Sequence, residues 1–218
     1  MNGKMSSDDE AMNDRVNEPA GTDGGRLART VDFCRLIDRE KMIQRRTWLS
    51  DGTRLESDAE HAWHLAVMAL LLSEYSNEEV DLLRVMSMVL IHDLVEIYAG
   101  DTFAYDAEGV ATQKERETAA ADRLFPVLPD DLAAKLRGLW DEFEAGETPE
   151  AKFAHTLDNF QPLMLQAATD GKAWRESGRR LEEVLHRNAA TPDGSEALWQ
   201  YAFDNFIRPQ LDKGHLAR

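Results

Sequence analysis

The sequence predicts an all-α protein, and three observations support that class. From about residue 27 onward, apolar residues recur at helical spacing, and no run alternates apolar and polar residues as a half-buried strand does. Two capping-box sequences, beginning at Ser57 and Ser76, mark helix starts. Pro149 stands where a helix begins and Gly100 where one ends. Together these signals predict a single helical domain.

The first half of that domain contains three predicted helices. The segment FCRLIDREKMI (33–43) is the first, and QRRTWLSDGTRLE (44–56) reads as a loop. The Ser57 capping box begins the second helix, and SNEE (76–79) begins the third. Apolar residues cover most of the circumference of the third helix, so we expect it to be central and to end at Gly100.

The second half continues the pattern. Helices are expected over QKERETAAADRLF (113–125) and DDLAAKLRGLWDEFEAG (130–146). Another helix begins with Thr148 as its cap and Pro149 at its first position. Later helices are expected at about 175–188 and 195–211. One domain, residues 27–218, therefore follows an acidic tail, residues 1–26, which we expect to be disordered because it lacks large apolar residues.

Composition excludes several classes of protein. A formal charge of -16 argues against a general nucleic-acid binder, which presents a basic face. The single cysteine, Cys34, excludes an intrachain disulfide framework and a thiolate metal cluster, so any metal is held by nitrogen and oxygen. No apolar run is long enough for a membrane span and no signal-peptide pattern is visible, so a cytoplasmic location without membrane contact is expected.

The stretch VLIHDLVEIYAGD (89–101) places several acids beside a very apolar segment. A buried carboxylate costs several kcal/mol unless it is paired or coordinates a metal. Glu96 lies four residues after His92 and three after Asp93, so it projects from the same side of a helix. Asp101 follows Gly100 and can fold back over that surface. A metal ion at the shared edge of His92 and Asp93 fits this arrangement.

Two ligands rarely suffice for a metal, and the further donors are His61 and Asp158. His61 stands at the start of the second helix, and Asp158 in the middle of the helix after Thr148. Pro162, four residues beyond Asp158, removes a helical hydrogen bond, so a kink is expected at that ligand.

The order His61, His92-Asp93, Asp158 resembles the HD-domain metal-dependent phosphohydrolases, over about residues 27–190. The segments ESDAEHAWHLAVMALLL, IHDLVEIYAGD and AKFAHTLDNF look like the HD-domain 5'-deoxyribonucleotidase branch, which releases phosphate from deoxyribonucleoside 5'-monophosphates. The resemblance implies an HD-domain helical bundle with the metal site between central helices. It also implies a homodimer.

The resemblance implies one metal ion, held by His61, His92, Asp93 and Asp158. Two imidazoles and two carboxylates suit Mn, Co, Fe, Ni or Zn better than Mg. Glu96 is then expected to orient or deprotonate the attacking water, and Asp101 to protonate or position the departing ribose oxygen. The two acids can also exchange these roles.

A basic cluster precedes the first ligand and is the candidate phosphate site. Arg46 lies fifteen residues before His61, where the resembled branch has an arginine that binds phosphate, and Arg45 stands beside it. In that branch an aromatic residue follows the arginine directly and packs on the deoxyribose. Here Thr47 intervenes before Trp48, which leaves ribonucleotides as possible substrates.

Several other assignments stay open. His64 and His155 share faces with His61 and Asp158, and we favour packing or substrate contact over metal ligation. Lys114 and Arg116 can cover the substrate or form pairs on a solvated helix.

The function itself also has alternatives. An HD-domain hydrolase of a nucleoside triphosphate or a nucleotide second messenger would need more basic residues around the pocket. A dinuclear enzyme would need more ligands. A regulatory helical protein could bind a metal or nucleotide without turnover, although Glu96 and Asp101 argue for catalysis.

Overall fold

The structure, a computed structural model, describes residues 25–103 and 105–217. The predicted disordered tail, residues 1–26, lies outside the described residues except for Gly25 and Arg26. The first helix, α1, spans Arg26–Leu36, and a 3-10 turn follows over Ile37–Met42. It begins seven residues before the predicted start at Phe33, because apolar Leu27 and Val31 are solvent-exposed and give little periodic signal.

Helices dominate the described residues, which confirms the all-α class. The remaining α-helices are α2 Asp58–Leu72, α3 Leu82–Ile91, α4 Glu96–Ala99, α5 Ala107–Leu124, α6 Asp130–Ala145, α7 Pro149–Ala168, α8 Lys172–Ser177, α9 Leu181–Arg187, α10 Thr191–Gly194, α11 Glu196–Ala202 and α12 Arg208–Asp212. Shorter 3-10 segments cover Ser73–Tyr75, His92–Val95 and Phe125–Val127, and a π-helical turn covers Phe203–Ile207.

The loop predicted over residues 44–56 is wrong, because this segment forms a small hairpin. Strand β1, Gln44–Trp48, pairs antiparallel with β2, Leu55–Ser57. The turn between them is closed by the N–H of Gly52, which donates to the carbonyl of Leu49 at 2.8 Å. Most residues of β1 are polar, so the alternation that signals a strand is absent from the sequence.

The capping box at the start of α2 is confirmed. The Ser57 hydroxyl accepts from the N–H of Glu60, and a Glu60 carboxylate oxygen accepts from the N–H of Ser57 at 3.0 Å. Arg54 also binds the Glu60 carboxylate with two N–H groups. This rigid helix start holds His61 in the first turns of α2.

The second predicted capping box, at Ser76, is wrong. Helix α3 begins at Leu82, and the Asp81 side chain caps it by accepting from the N–H of Arg84. The Asn77 side chain is engaged elsewhere: it donates to the carbonyl of Pro192 at 2.8 Å and accepts from the N–H of Glu196 at 2.9 Å. These tertiary hydrogen bonds hold the segment before Leu82 outside a helix.

The third predicted helix is interrupted and is buried on one side only. After Ile91 it tightens into the 3-10 segment that carries His92 and Asp93, and α4 then ends at Gly100, whose φ of 75° supports the predicted stop. Val85, Met88 and Val89 are fully buried, but Leu83 and Leu90 are exposed. The expectation of a helix surrounded by protein therefore fails on the face of Leu83 and Leu90.

Helix α7 begins as predicted. The Thr148 hydroxyl accepts from the N–H of Ala151 at 3.2 Å, and Pro149 is the first helical residue. Pro162 lies inside this helix, and most α7 side chains are buried. Helix α7 is therefore the central helix of the fold.

The two long helices predicted near the C-terminus are wrong, because five short helices and a π-helical turn occupy residues 172–212. Gly178 ends α8 in the left-handed conformation, with φ of 64°. The Ser195 hydroxyl begins α11 by accepting from the N–H of Leu198 at 3.1 Å. The apolar spacing continues across these helix ends, so the sequence pattern predicted longer helices than the structure has.

Two hydrophobic clusters make up the core. One joins α2, α3 and α7 with the C-terminal helices, and the other joins α1 and the His92–Val95 segment with α4, α5 and α6. Ile91 packs against both clusters, immediately before His92. The fold thus places the His92-Asp93 pair at the junction of the two clusters. Among the described helices, none combines the length and apolar character needed to cross a membrane.

Candidate metal centre

Three side chains from three helices converge at that junction. His61 comes from α2, His92 directly follows α3, and Asp158 lies in the middle of α7. His61 Nε2 lies 3.0 Å and His92 Nε2 lies 3.7 Å from Asp158 Oδ1. One possible ligand atom from each residue lies within 4.8 Å of the other two. This spacing fits a single metal ion between them.

A buried amide chain sets the proton position on His61. The Gln161 Nε2 group donates to Glu56 Oε1 at 2.5 Å, so Gln161 Oε1 faces His61 Nδ1, 3.1 Å away, and accepts its proton. Burial and the charge of Arg45 lower the pKa of His61 to about 4, so the ring is neutral. The lone pair of His61 Nε2 therefore points at the carboxylate of Asp158, and a cation is needed between these two acceptors.

His92 presents its ring in the same way. His92 Nδ1 lies 3.0 Å from the carbonyl of Val89 and donates to it, while Nε2 is buried with no hydrogen-bond partner among the described residues. Nε2 lies 3.1 Å from Asp93 Oδ2. Burial opposes the charged ring, but Asp93 and Asp158 outweigh burial and raise the pKa of His92 to about 10. The surroundings thus favour a positive charge at Nε2, which a proton or a metal ion can supply.

A second group of acids adjoins these ligands. Possible ligand atoms of Asp58, Glu96 and Asp101 also lie within 4.8 Å of one another. Asp58 is fully buried, and neither of its carboxylate oxygens has a hydrogen-bond partner among the described residues. Burial and the charge of Asp93 raise the pKa of Asp58 to about 7. Burial, with Asp93 and Asp58, also raises the pKa of Glu96 well above its usual value.

Arg45 is the cation closest to this negative charge. Its Nη1 lies 2.6 Å from Asp93 Oδ2 and 3.6 Å from Asp58 Oδ1, and its Nη2 lies 3.9 Å from Asp158 Oδ1. The side chain is only 15% exposed. Arg45 therefore neutralises the acids directly and bridges the two acidic groups.

The other two predicted substrate contacts lie in different places. Arg46 is exposed and lines the cavity described below. The Trp48 ring lies under the Lys172 ammonium, 3.2 Å from the ring centroid, and its Nε1 donates to Glu176 at 3.0 Å. Thr47, not Trp48, lines the cavity next to Arg46. Sugar packing by Trp48 stays a prediction.

A cavity of about 480 Å³ opens above the ligands. That volume is in the range of small-molecule sites. His92, Asp93, Glu96, Asp101 and Asp158 all reach it, and Lys114 and Arg187 add positive charge to its walls. The site is therefore large enough for a nucleotide and has cations on more than one side.

The remaining histidines near the centre have other contacts. His155 Nε2 donates to the carbonyl of Phe143 at 2.7 Å, and the ring stacks on Phe143 with 4.1 Å between centroids. His64 Nδ1 lies 3.3 Å from Gln161 Nε2. These contacts favour packing and support over metal ligation.

Several residues of the centre were missed by sequence reasoning. Gln161 follows Asp158 by three positions, and Asp58 precedes His61 by three, so helical spacing placed both near a ligand. Arg116 does not form a solvated pair: it donates to the carbonyl of Ala99 at 2.8 Å and to the Thr102 hydroxyl at 2.7 Å. It thereby holds the turn that contains Asp101.

The helical fold and the convergence of two histidines with a central aspartate define a class of protein. A family model described as an HD domain matches residues 37–199. The chain belongs to the HD-domain family. The family implies a divalent metal ion, and the Nε2 atoms of His61 and His92 with the surrounding carboxylates fit one.

Particular relatives are 5'-deoxynucleotidases and a bacterial phosphohydrolase. The 5'-deoxynucleotidase HDDC2 of Bos taurus is 34% identical over 153 residues, 69% of this chain and 72% of that protein. The human 5'-deoxynucleotidase HDDC2 is 31% identical over 151 residues, 68% of this chain and 72% of that protein. The crystal structure of a predicted metal-dependent phosphohydrolase from Magnetospirillum magnetotacticum superposes with a TM-score of 0.84 at 45% identity, over 88% of this chain and 96% of that one.

Proposed function

We propose that this protein is a metal-dependent phosphomonoesterase that hydrolyses deoxyribonucleoside or ribonucleoside 5'-monophosphates to nucleoside and phosphate. The observation that carries this proposal is the convergence of His61, His92 and Asp158. His92 and Asp158 also line a cavity that Arg46 reaches. The resemblance to curated 5'-deoxynucleotidases supports the substrate class.

His61, His92, Asp93 and Asp158 are the proposed metal ligands. When bound, a divalent ion lowers the pKa of water and polarises a phosphoryl oxygen. The Glu56–Gln161–His61 chain and the carbonyl of Val89 orient the two imidazole rings for ligation. Arg45 limits the repulsion among the carboxylates.

The reaction forms a bond from water oxygen to phosphorus and breaks the bond from phosphorus to the ribose 5'-oxygen. We assign the water proton to the ionised carboxylate of Glu96, which lines the same cavity as His92 and Asp93. We assign the departing oxygen to Asp101, which lines the same cavity and supplies or positions the proton that this oxygen needs. Both carboxyl groups face the cavity, so no distant proton relay is required.

Arginines supply the binding of the phosphate. Arg46 projects into the cavity from β1, and a guanidinium can bind two phosphate oxygens at once. Arg187 approaches from α9, with its Nη2 3.8 Å from Asp158 Oδ2. These two arginines reach the cavity from opposite parts of the chain.

The choice of metal follows from the ligands. Two imidazoles with carboxylates favour a transition metal, Mn, Co, Fe, Ni or Zn, over Mg. The proposal is therefore for one such ion per chain.

A second candidate substrate is a nucleoside triphosphate. Lys114 and Arg187 add cations to the cavity beyond the Arg45-Arg46 cluster, as extra phosphates require. The monophosphate stays the leading proposal because the curated relatives are deoxynucleotidases.

The decisive experiment measures phosphate release from deoxyribonucleoside and ribonucleoside mono- and triphosphates. Metal-free protein is reconstituted separately with Mn, Co, Zn and Mg. We expect metal-dependent release from the monophosphates, and a loss of at least about 100-fold in His92→Ala and Glu96→Gln. Arg123→Met is a matched control, since Arg123 stacks on Tyr98 away from the cavity.

The outcomes separate the candidates. Pyrophosphate or phosphate released only from triphosphates supports the second candidate. Stoichiometric metal binding with no turnover of any nucleotide contradicts both and favours a binding protein.

We further propose a homodimer in the cytoplasm. Helices α2 and α3 pack together, and each leaves large apolar side chains in solvent, namely Trp63, Leu70, Leu71, Leu83 and Leu90. An exposed apolar surface of this kind is typical of an interface. The net charge of -16 supports the expectation that nucleic acid is not a partner.

A further inference from the structure

One face of α7 continues the cavity away from the metal ligands. Asp158, Asn159, Pro162, Leu163 and Gln166 all line the cavity and recur at helical spacing. Eight residues separate Asp158 from Gln166, which is a rise of about 12 Å along the helix. A molecule with its phosphate beside Asp158 can therefore extend toward Gln166.

Gln166 has an unsatisfied amide at that far end. The residue is 8% exposed, and its Oε1 is buried with no hydrogen-bond partner among the described residues. Leaving such an acceptor unpaired costs about 1–3 kcal/mol. By comparison, the buried amides of Gln161 and Gln210 each contact a histidine ring nitrogen, at 3.1 Å and 2.8 Å. Gln166 Oε1 therefore lacks an N–H donor that a ligand can supply.

Aromatic and apolar side chains line the same cavity as Gln166. Trp174 of α8, 3% exposed, lines the cavity together with Pro162 and Leu163. Tyr105 also lines it, and the Arg179 guanidinium lies over the Tyr105 ring, 4.9 Å from the centroid. The face of a planar ring can pack against aromatic and apolar side chains of this kind, while an amide forms hydrogen bonds with the ring's edge.

From these contacts we infer that Gln166 and Trp174 form a nucleobase subsite, in which the Gln166 amide pairs with the hydrogen-bonding edge of the base. The inference rests on the proposed nucleotidase function, because it places the phosphate at the Asp158 end. A glutamine amide has an acceptor and two donors, so it can pair with an adjacent donor and acceptor on a base. The ligand class is a nucleoside with an unmodified base edge.

The test uses product nucleosides, which contain no phosphate to hydrolyse. Binding of 2'-deoxyadenosine, 2'-deoxycytidine, thymidine and 2'-deoxyguanosine to the metal-loaded full chain is measured by calorimetry. In Gln166→Leu we expect the affinity for these nucleosides to fall about tenfold, as for loss of one base contact. The affinity for inorganic phosphate, which has neither a base nor an ester bond to hydrolyse, is expected to stay within about twofold of wild type, since no base contact is lost.

A second variant changes the pattern of donors and acceptors. Gln166→Glu replaces the amide by a carboxylate that only accepts, so guanine, with neighbouring ring N–H and amino donors, becomes the preferred base. Gln210→Leu is the matched control, because Gln210 is also buried but contacts His215 instead of the cavity. Thermal unfolding shows that each variant is folded.

Each outcome is decisive for the subsite. Equal nucleoside affinities in wild type and Gln166→Leu overturn it, and so does wild type that binds no nucleoside. A parallel loss of affinity for inorganic phosphate also overturns it, since that points to general damage. Phosphate release is a separate measurement: nucleoside binding that depends on Gln166, without any turnover, rejects the proposed nucleotidase but retains the subsite.

Discussion

Gln161 determines which ring nitrogen of His61 carries the proton, and therefore which nitrogen can bind a metal. Because Gln161 donates to Glu56, it presents only its carbonyl oxygen to His61, and His61 must donate from Nδ1. The other ring nitrogen is thereby left with a lone pair toward Asp158. Gln161 acts through His61 and is a positioning residue.

Replacing Gln161 by leucine is expected to weaken metal binding without unfolding the protein. The variant removes the acceptor that fixes the His61 tautomer, and loss of such a partner typically costs 10- to 100-fold in metal affinity. Competition with a chelator of known affinity measures the change. Gln210→Leu serves as control, because it removes a buried glutamine that contacts His215. Unchanged metal affinity in Gln161→Leu would show that the tautomer is held by other contacts.

The turn after α4 depends on α5 for its shape. Gly100, with φ of 75°, ends α4, and the chain then presents Asp101 to the cavity. Arg116 of α5 donates to the carbonyl of Ala99 and to the Thr102 hydroxyl, one on each side of Asp101. The position of Asp101 therefore depends on both α4 and α5.

For Arg116→Met we expect kcat to fall roughly 10- to 100-fold, because a small displacement of a reacting group has a cost of that order. Metal affinity should stay at the wild-type value, since Arg116 contacts no proposed ligand of the metal. The matched variant Arg137→Met removes an arginine that pairs with Asp122 and Asp141 on the surface. If Arg116→Met retains full kcat, Asp101 does not need this support.

Helix α7 packs very closely against the short helix α10. Thr156 donates to the carbonyl of Thr191 at 2.7 Å, and Gly194 is buried against α7. A Cβ at Gly194 would clash with the carbonyl of Lys152 and with the Thr156 hydroxyl. This contact joins the C-terminal helices to the helix that carries Asp158.

Gly194→Ala is expected to lower the free energy of unfolding by about 2 kcal/mol or more, because the backbone carbonyl cannot move aside cheaply. The opposite sign is expected for Gly138→Ala in α6, where a Cβ meets nothing within 4 Å and the helix is stabilised by about 0.5–1 kcal/mol. Urea unfolding of the two variants measures both changes. Equal effects in the two variants would contradict the close approach at Gly194.

The proposed dimer makes a prediction about mass. Wild type should sediment at twice 24.7 kDa, and the double variant Leu71→Lys, Leu83→Lys at the monomer mass, because burying two charges in an apolar interface is unfavourable. Leu27→Lys, also on an exposed leucine but in α1, is the control. A monomeric wild type would contradict the dimer.

Local chemistry made much of the fold predictable. Caps and stops depend on a few neighbouring residues, which is why the Ser57 box, the Thr148 cap and the Gly100 stop could be predicted. Prediction failed where distant contacts override local preference, as when Asn77 binds the Pro192 region and the helix begins at Leu82 instead. The hairpin at 44–57 was not predicted, because its strands lack the alternation of apolar and polar residues that indicates a strand.

The sequence predicted histidine and carboxylate ligands and the helices that carry them. That prediction rests on the single cysteine, which leaves nitrogen and oxygen as donors, and on an order of residues that resembles the HD-domain family. Which side chains meet was decided by folding: Arg45 reaches Asp93 across 48 positions, and Gln161 reaches His61 across 100. Asp58 and Gln166 acquire their significance only from burial without a partner. Burial and long-range contact arise from packing of the helices, and no local pattern encodes them.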